Sequence, residues 1–185
     1  MKLTSARSLE NLRPVLLNPQ AEGPDPVYQV FSLETADGQD SNWANQTVLV
    51  PGLIGQEYTK TFGHYHPDDS PVETYKLTTG EGVLVLHKKD LSVVYLVKAE
   101  VGDEIKITNQ FGHAWSNVGQ VPLISFDDWR DGHSPGDYDQ IKEKQGMAYY
   151  LVAEGDQVKV VANSHYQNLP EPIWTTPAEF ARLSE

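Results

Sequence analysis

Four side chains have the types and the spacing of a metal site. His64 and His66 flank a single residue, and on an extended strand such alternate side chains lie on one face, so both imidazoles can reach one ion. Glu73 follows a loop rich in proline and aspartate, and His113 lies in a later β-rich segment. Three imidazoles and one carboxylate leave positions open on a metal that prefers five or six ligands, which is typical of a catalytic centre. The pattern therefore predicts one divalent transition metal per chain.

The rest of the composition limits which metal this is. The chain has no cysteine, which excludes a disulfide framework and a thiolate site. Nitrogen and oxygen ligands favour Fe²⁺, Mn²⁺, Ni²⁺ or Zn²⁺. A His-x-His pair alone is common, so the prediction depends on its combination with Glu73 and His113. Two further histidines, His87 at a hairpin end and His165 in a polar stretch, are predicted to lie on the surface.

Short β-rich runs separated by turn residues would position these ligands. They are 27–33, 46–50, 82–87, 91–98, 104–108, 121–126, 148–153 and 157–161. Lys88-Lys89-Asp90 and Glu154-Gly155-Asp156 are hairpin turns between neighbouring runs. Short strands at this regular spacing predict an all-β fold, either a barrel or a sandwich.

Helices are predicted only at the periphery. Residues 176–183 form the clearest one, because Thr175 or Thr176 can cap it and Pro177 suits the first helical position. Residues 5–12 form a second short helix, followed by a proline-rich connector over 14–26. The segment around Pro135-Gly136 and Asp137 is expected to be a polar loop.

Charge and length restrict the class of partner. The 185 residues carry a net charge of −12, which disfavours nucleic acid and an anionic membrane surface. No apolar run approaches the ~20 residues of a membrane span, and the first residues have no apolar signal-peptide core. We therefore expect a single cytoplasmic domain over 1–185. Since basic side chains are scarce, an anionic substrate would be held by backbone N–H groups, hydroxyls and the metal.

At the level of motifs, the sequence resembles the cupins. The His-x-His…Glu-x6-Gly block and the later Gly-His-x3-Asn block are similar to the two cupin motifs, although the gap between histidine and glutamate is longer than usual. Among cupins, the sequence is most similar to the archaeal-type, metal-dependent glucose-6-phosphate isomerases, over about 26–161. The resembling pieces are 26–28, 47–52, Gly55, 61–66, 73–75, 80–82, His113 and Asp137-Tyr138. Two departures stand out: Asp127-Asp128-Trp129 occupies a region where that family often has a tyrosine, and residues 133–138 interrupt its late His-Asp-Tyr cluster.

This resemblance implies a fold, a reaction and a set of site residues. The fold would be a double-stranded β-helix, a jelly-roll-like barrel with a core of about 26–161, commonly a homodimer. The reaction would be the interconversion of glucose 6-phosphate and fructose 6-phosphate in glycolysis and gluconeogenesis, with iron the most frequent metal on His64, His66, Glu73 and His113. The sugar phosphate would be bound by Thr47, Thr61 and Gly63 at the phosphate, and by Tyr28, Tyr75 and Tyr138 along the sugar.

The residue chemistry fits such an isomerase. Glu73 can move a proton between C1 and C2 through an enediol, whereas a metal-assisted hydride shift needs no base. Tyr75 lies on the same strand face as Glu73 and can donate a hydrogen bond to a substrate oxygen, and His133 can act as acid or base in ring opening. Three alternatives stay open: a cupin dioxygenase with the same ligands, an isomerase of neutral sugars such as mannose or lyxose, and a binding module without turnover. The hydroxyls of Thr47 and Thr61 suit a phosphate better than an apolar dioxygenase substrate.

Overall fold

The structure is a computed structural model that describes residues 1–33, 42–130 and 132–184. In chain order its strands are β1 Lys2–Arg7, β2 Tyr28–Ser32, β3 Asn45–Leu49, β4 Leu53–Ile54, β5 Glu57–Tyr58, β6 Glu73–Thr79, β7 Gly82–Lys88, β8 Val94–Ala99, β9 Glu104–Ile107, β10 Phe111–Asn117, β11 Leu123–Asp127, β12 Tyr149–Glu154, β13 Gln157–Ala162 and β14 Ile173–Thr175. The helices are α1 Leu9–Leu12, α2 Gly136–Glu143 and α3 Pro177–Leu183, with a 3₁₀ turn over Arg13–Val15.

The strands form three sheets. A six-stranded sheet has the order β1-β2-β3-β11-β6-β9, and two four-stranded sheets have the orders β10-β7-β8-β14 and β13-β12-β5-β4. Within the described residues, every pairing is antiparallel except that of β14 with β8. The prediction of an all-β fold with short peripheral helices is confirmed. The assignment of the whole chain to one domain stays a prediction.

Alternation along the six-stranded sheet directs the functional side chains inward. On β6, Glu73, Tyr75 and Leu77 are buried while the residues between them are more exposed. On β11, which pairs with β6, Asp127 lies opposite Tyr75. The period of two in the side-chain direction therefore brings polar residues of adjacent strands onto the same inner face.

The N-terminal prediction was wrong in its first half. Residues 2–7 are not helical but add β1 to the edge of the six-stranded sheet, where Arg7 lies opposite Tyr28. The helix begins only at Leu9, because Ser8 caps it in a reciprocal capping box with Asn11. Leu9 and Leu12 pack into the main hydrophobic core.

The two other helices differ in how well the sequence indicated them. Helix α3 begins at Pro177 after a Thr176–Glu179 capping box, as predicted. The prediction of a polar loop around Pro135-Gly136 and Asp137 was wrong, because helix α2 begins at Gly136. It buries only Ile141, so no apolar periodicity marked it, and a hydrogen bond from the Ser134 backbone N–H to Asp137 organises its start.

Candidate metal centre and active site

The structure brings the four predicted metal ligands into one cluster. One ligand atom from each of His64, His66, Glu73 and His113 lies within 4.8 Å of the others. Oε2 of Glu73 is 2.9 Å from Nε2 of His66 and 3.1 Å from Nε2 of His113. His64 and His113 are held side by side because each backbone N–H donates to the other's carbonyl oxygen, at 3.2 and 3.0 Å. The His64–His66 segment is thus fixed by an isolated bridge to β10 and not by a regular strand.

Unsatisfied polar atoms in this cluster fit a bound cation. Nε2 of His64 and Oε1 of Glu73 are buried without a hydrogen-bond partner among the described residues, and buried polar atoms are rarely left so. Burial raises the pKa of Glu73, but hydrogen bonds from His113 and His66 outweigh it and bring that pKa to about 2. Burial and the neighbouring histidines lower the pKa of His64. The cluster therefore offers an anionic carboxylate and, at His64, a neutral imidazole, which are the forms that bind a divalent metal.

Two aromatic side chains pack against these ligands. The Tyr75 hydroxyl is 3.4 Å from Nε2 of His113, and burial raises the pKa of Tyr75, so the phenol keeps its proton. The Trp129 ring lies over that of His66, with centroids 3.9 Å apart. Trp129 was not predicted as a site residue, because no sequence signal places this loop residue beside the metal ligands.

His133 lies beside the cluster, as its predicted role requires. Its ring centroid is 4.0 Å from that of His64, and its Nδ1 is 3.7 Å from Asp137 Oδ2. Burial lowers the pKa of His133 to about 4. The imidazole is therefore neutral near pH 7 and can accept a proton.

A cavity of about 460 Å³ opens from this cluster. Its lining includes nine of the predicted site residues: Tyr28, Thr47, Thr61, Gly63, His64, Tyr75, His113, His133 and Tyr138. His66 and Glu73 are not in the lining and are nearly inaccessible. The lining also includes Arg7, Asn45, Asp127 and Trp129, which sequence reasoning did not select.

Arg7 supplies a positive charge that the sequence analysis did not expect. Its guanidinium carbon is 5.5 Å from the ring centroid of Tyr138 and 6.0 Å from that of Phe62. Burial raises the pKa of Tyr28 to about 12, and the nearby Arg7 partly opposes this shift. No motif surrounds Arg7, and only the pairing of β1 with β2 places it opposite Tyr28.

The segment beside Arg7 carries the hydroxyl and glycine predicted to bind phosphate. The Thr61 hydroxyl oxygen accepts a hydrogen bond from the Trp115 backbone N–H at 3.0 Å, which fixes the side chain and leaves the hydroxyl hydrogen for a ligand. Gly63 has φ +85°, and a Cβ there would meet Met147 Sδ at 3.0 Å and Ala114 Cβ at 3.3 Å. Only glycine adopts this backbone conformation without strain.

Asp127 contributes a buried carboxyl group to the cavity wall. Its Oδ1 accepts hydrogen bonds from Asn45 Nδ2 at 2.7 Å and from the Trp129 backbone N–H at 3.1 Å. Burial, with a smaller contribution from Glu73, raises the pKa of Asp127 to about 7, although these hydrogen bonds oppose the shift.

His87 contradicts its predicted surface position. It is fully buried on β7, where its Nδ1 accepts from the Ala148 backbone N–H at 3.2 Å and its ring packs near Tyr65 and Tyr166. The hairpin turn begins one residue later than expected, and His87 is covered by Tyr65, Ala148 and Tyr166, which are distant in sequence. The exposed position predicted for His165 agrees with the structure.

The buried His87 predicts a loss of stability in acid. Burial, with a smaller effect of His113, lowers the pKa of His87 to about 3, whereas an unfolded histidine has a pKa of about 6.5. Between these values the unfolded chain binds more protons, so the free energy of unfolding falls as the pH falls. In metal-free protein, His87→Asn should remove up to about 1.4 kcal/mol per pH unit of this slope, and the amide oxygen can still accept from Ala148. The slope is measured by comparing the free energy of urea unfolding at about pH 7 with that at about pH 5. His165→Asn serves as the exposed control, and equal slopes in both variants would contradict the prediction.

Comparison with known proteins settles the family. A family model described as glucose-6-phosphate isomerase (GPI) matches residues 6–168. The chain belongs to this family. Among similar glucose-6-phosphate isomerases, that of Thermococcus onnurineus is 34% identical over 147 residues, which cover 77% of this chain and 75% of that protein. That of Pyrococcus furiosus is 31% identical over 150 residues, covering 79% and 76%.

Two solved structures are distantly similar to this chain. A predicted oxalate decarboxylase from Thermotoga maritima is 19% identical and covers 54% of this chain and 76% of that chain, with a TM-score of 0.39. The cupin domain of CENP-C from Drosophila melanogaster is 11% identical and covers 59% and 74%, with a TM-score of 0.41. Similarity this distant supports no conclusion about the function of this chain.

Proposed function

We propose that this protein is an intramolecular oxidoreductase that interconverts glucose 6-phosphate and fructose 6-phosphate with the help of a divalent metal. The observation that carries the proposal is a cavity lined both by members of a three-histidine, one-carboxylate cluster and by the guanidinium group of Arg7. A phosphorylated sugar needs both, since its phosphate is an anion and its carbonyl must be polarised. The names of the relatives support the same reaction.

The phosphate is assigned to the end of the cavity near Arg7. Arg7 lies close to Tyr28 and Tyr138. It also approaches Phe62, which stands between Thr61 and Gly63 in the sequence. Guanidinium groups bind phosphate through parallel charge-assisted hydrogen bonds. In a chain with net charge −12, such a local cation is needed to attract an anionic substrate.

The sugar carbons that react are assigned to the other end. A divalent metal on His64, His66, Glu73 and His113 would supply Lewis-acid polarisation of the carbonyl and a template for its neighbouring hydroxyl. The Tyr75 phenol can donate a hydrogen bond to a substrate oxygen there. The neutral His133 can take a proton from the anomeric hydroxyl as the ring opens.

The position of Glu73 supports its role as a ligand more than as a base. It is 1% exposed and absent from the cavity lining, and a carboxylate with a pKa of about 2 is a weak proton acceptor. A hydride shift between C2 and C1 requires no base at this point. Deuterium at C2 of glucose 6-phosphate distinguishes the routes, because it exchanges with solvent through an enediol and stays with the product in a hydride shift.

The test of the function is a metal-dependent isomerase assay. Formation of glucose 6-phosphate from fructose 6-phosphate is followed through an NADP-linked dehydrogenase, before and after dialysis against EDTA and after addition of Fe²⁺, Mn²⁺, Ni²⁺ or Zn²⁺. Activity that is lost with EDTA and restored by one metal is expected, with Fe²⁺ the first candidate. Protein that holds metal but consumes oxygen without isomerising the sugar would instead indicate a dioxygenase, and faster turnover of mannose or lyxose a neutral-sugar isomerase. The family assignment favours neither alternative.

Replacing Arg7 tests the phosphate assignment. Arg7→Gln should raise the KM for fructose 6-phosphate by about 10- to 100-fold, the worth of a hydrogen bond to a charged group, with a smaller change in kcat because this contact is remote from the reacting carbons. Arg182→Gln removes an exposed arginine from helix α3 and is the matched control. A KM that is unchanged by Arg7→Gln would remove this residue from the phosphate site.

Two further properties complete the proposal. We keep a homodimer as the expected assembly, because the family resemblance implies it, and the cytoplasm as the expected location, on the sequence arguments above. Among the described residues no helix is long and apolar enough to cross a bilayer. Sedimentation of the purified protein tests the assembly.

A further inference from the structure

The Trp129 ring packs against two histidines at the candidate metal centre. Its centroid is 3.9 Å from that of His66, with the two planes inclined by 33°. It is 5.9 Å from the centroid of His133, with the planes nearly parallel at 7°. Trp129 is 6% exposed and lines the cavity beside the ligands. The indole therefore lies on the face of a ligand ring at the inner end of the substrate space.

Hydrogen bonds from the side chain and the backbone fix this indole. Its Nε1–H donates to the Gly132 carbonyl oxygen at 2.7 Å. The Trp129 backbone N–H donates to Asp127 Oδ1 at 3.1 Å, and its carbonyl oxygen accepts from Asn45 Nδ2 at 2.8 Å. Asp127 ends β11 and Asn45 begins β3, and the two residues are paired in register. The six-stranded sheet thus holds the Trp129 backbone, and the ring presents a fixed surface to His66.

His66 lacks the hydrogen bond that usually orients a metal-binding histidine. Such a histidine donates its other ring N–H to a carboxylate, a carbonyl oxygen or water, which fixes the orientation of the ring. Nε2 of His66 lies at the cluster, 2.9 Å from Glu73 Oε2, but its Nδ1 is buried without a hydrogen-bond partner among the described residues. Of the aromatic rings recorded around His66, that of Trp129 is the nearest, since the others lie 5.0–5.3 Å away. Stacking on Trp129 is therefore the contact that can fix this ligand ring.

We propose that Trp129 is a positioning residue of the metal centre, whose ring holds the His66 imidazole by stacking in the orientation that binds a divalent metal. The inference rests on the metal site of the proposed function and adds a residue outside its ligand set. Trp129 is not itself a ligand, because an indole N–H is only a donor and this one is bonded to Gly132. Its effect is on metal affinity, and it acts through His66.

Two variants of Trp129 isolate the stacking contact. Trp129→Phe keeps an aromatic ring beside His66 and Trp129→Leu does not, while both lose the hydrogen bond to Gly132. The dissociation constant for Ni²⁺ is measured on EDTA-stripped protein by competition with a chelator of known affinity. Trp174→Leu is the control, since it removes a tryptophan that is 46% exposed on β14. Thermal unfolding of each metal-free protein verifies that it is folded.

The expected result is a loss of affinity that follows the aromatic ring. Trp129→Leu should raise the dissociation constant by about 10- to 100-fold, as loss of a residue that supports a metal ligand does. Trp129→Phe should keep most of the affinity and Trp174→Leu all of it. Wild-type affinity in Trp129→Leu, or an equal loss in both variants at this position, would overturn the inference alone. Wild-type protein that binds no Ni²⁺ would overturn the proposed function as well.

Tryptophan fluorescence gives a second test that does not require the leucine variant to fold. Bound Ni²⁺ quenches an indole that lies close to it, so loading the wild-type protein should lower its emission. Most of this quenching should be absent from Trp129→Phe and retained in Trp174→Leu. Equal quenching in the wild type and in Trp129→Phe would mean that the Trp129 ring does not lie on His66 in the loaded protein, which would overturn the inference.

Discussion

Replacement of His113 by alanine is expected to lower both metal content and isomerase turnover by more than about 100-fold, because loss of a supporting residue outside the ligand set already costs 10- to 100-fold. The imidazole nitrogen 3.1 Å from Glu73 is lost. The backbone bonds that His113 exchanges with His64 do not depend on the side chain. The protein should therefore fold without a competent metal site. Metal per chain after gel filtration and the coupled assay measure the two effects.

His165→Ala is the control for this variant. It also deletes one imidazole, but from an exposed position outside the cluster. Metal content and turnover should match those of the wild type. One metal per chain together with full turnover in the His113 variant would contradict its assignment as a ligand.

The largest effect on stability is expected from Lys60→Met. The Lys60 ammonium lies 2.6 Å from Glu57 Oε1, donates to the carbonyl oxygen of Val15 and is 4.7 Å from the ring centroid of Tyr150. Both charged side chains are almost fully buried, at 6% and 3% exposure. Removing one partner leaves a buried charge uncompensated, which costs about 3–5 kcal/mol. The Tm should fall by about 6–20 °C for a domain of this size.

Matched variants separate this effect from ordinary loss of a lysine. Lys76→Met breaks the exposed Lys76–Glu104 pair and should change the free energy of unfolding by less than about 1 kcal/mol. Adding Glu57→Gln to Lys60→Met removes the unpaired charge and should recover at least half of the lost Tm, since the amide can still accept from the Leu17 backbone N–H that now bonds Glu57. A Lys60 variant no less stable than the Lys76 variant would contradict the prediction.

The features that the sequence determined are those set by local rules. Alternation with period two placed Glu73 and Tyr75 on one strand face. The spacing of His64 and His66 also let both join one cluster, although this segment is held by an isolated bridge to β10 and not by the regular strand that was predicted. The cap at Thr176 and the proline after it defined helix α3. Each depends on residues a few positions apart, whose geometry is fixed by the backbone itself.

The tertiary structure alone decided which charges meet in the cavity. Arg7 reaches it through the pairing of β1 with β2, and Asp127 is oriented by Asn45, 82 residues earlier in the chain. His87 is buried by contacts with Tyr65 and Tyr166 that a hairpin end does not reveal. Such pairings depend on burial and on the order of strands in a sheet, and many sequences share the same local pattern with a different order. For this reason the four-residue cluster that could hold a metal could be predicted from the sequence, whereas the charged residues that line the cavity could not.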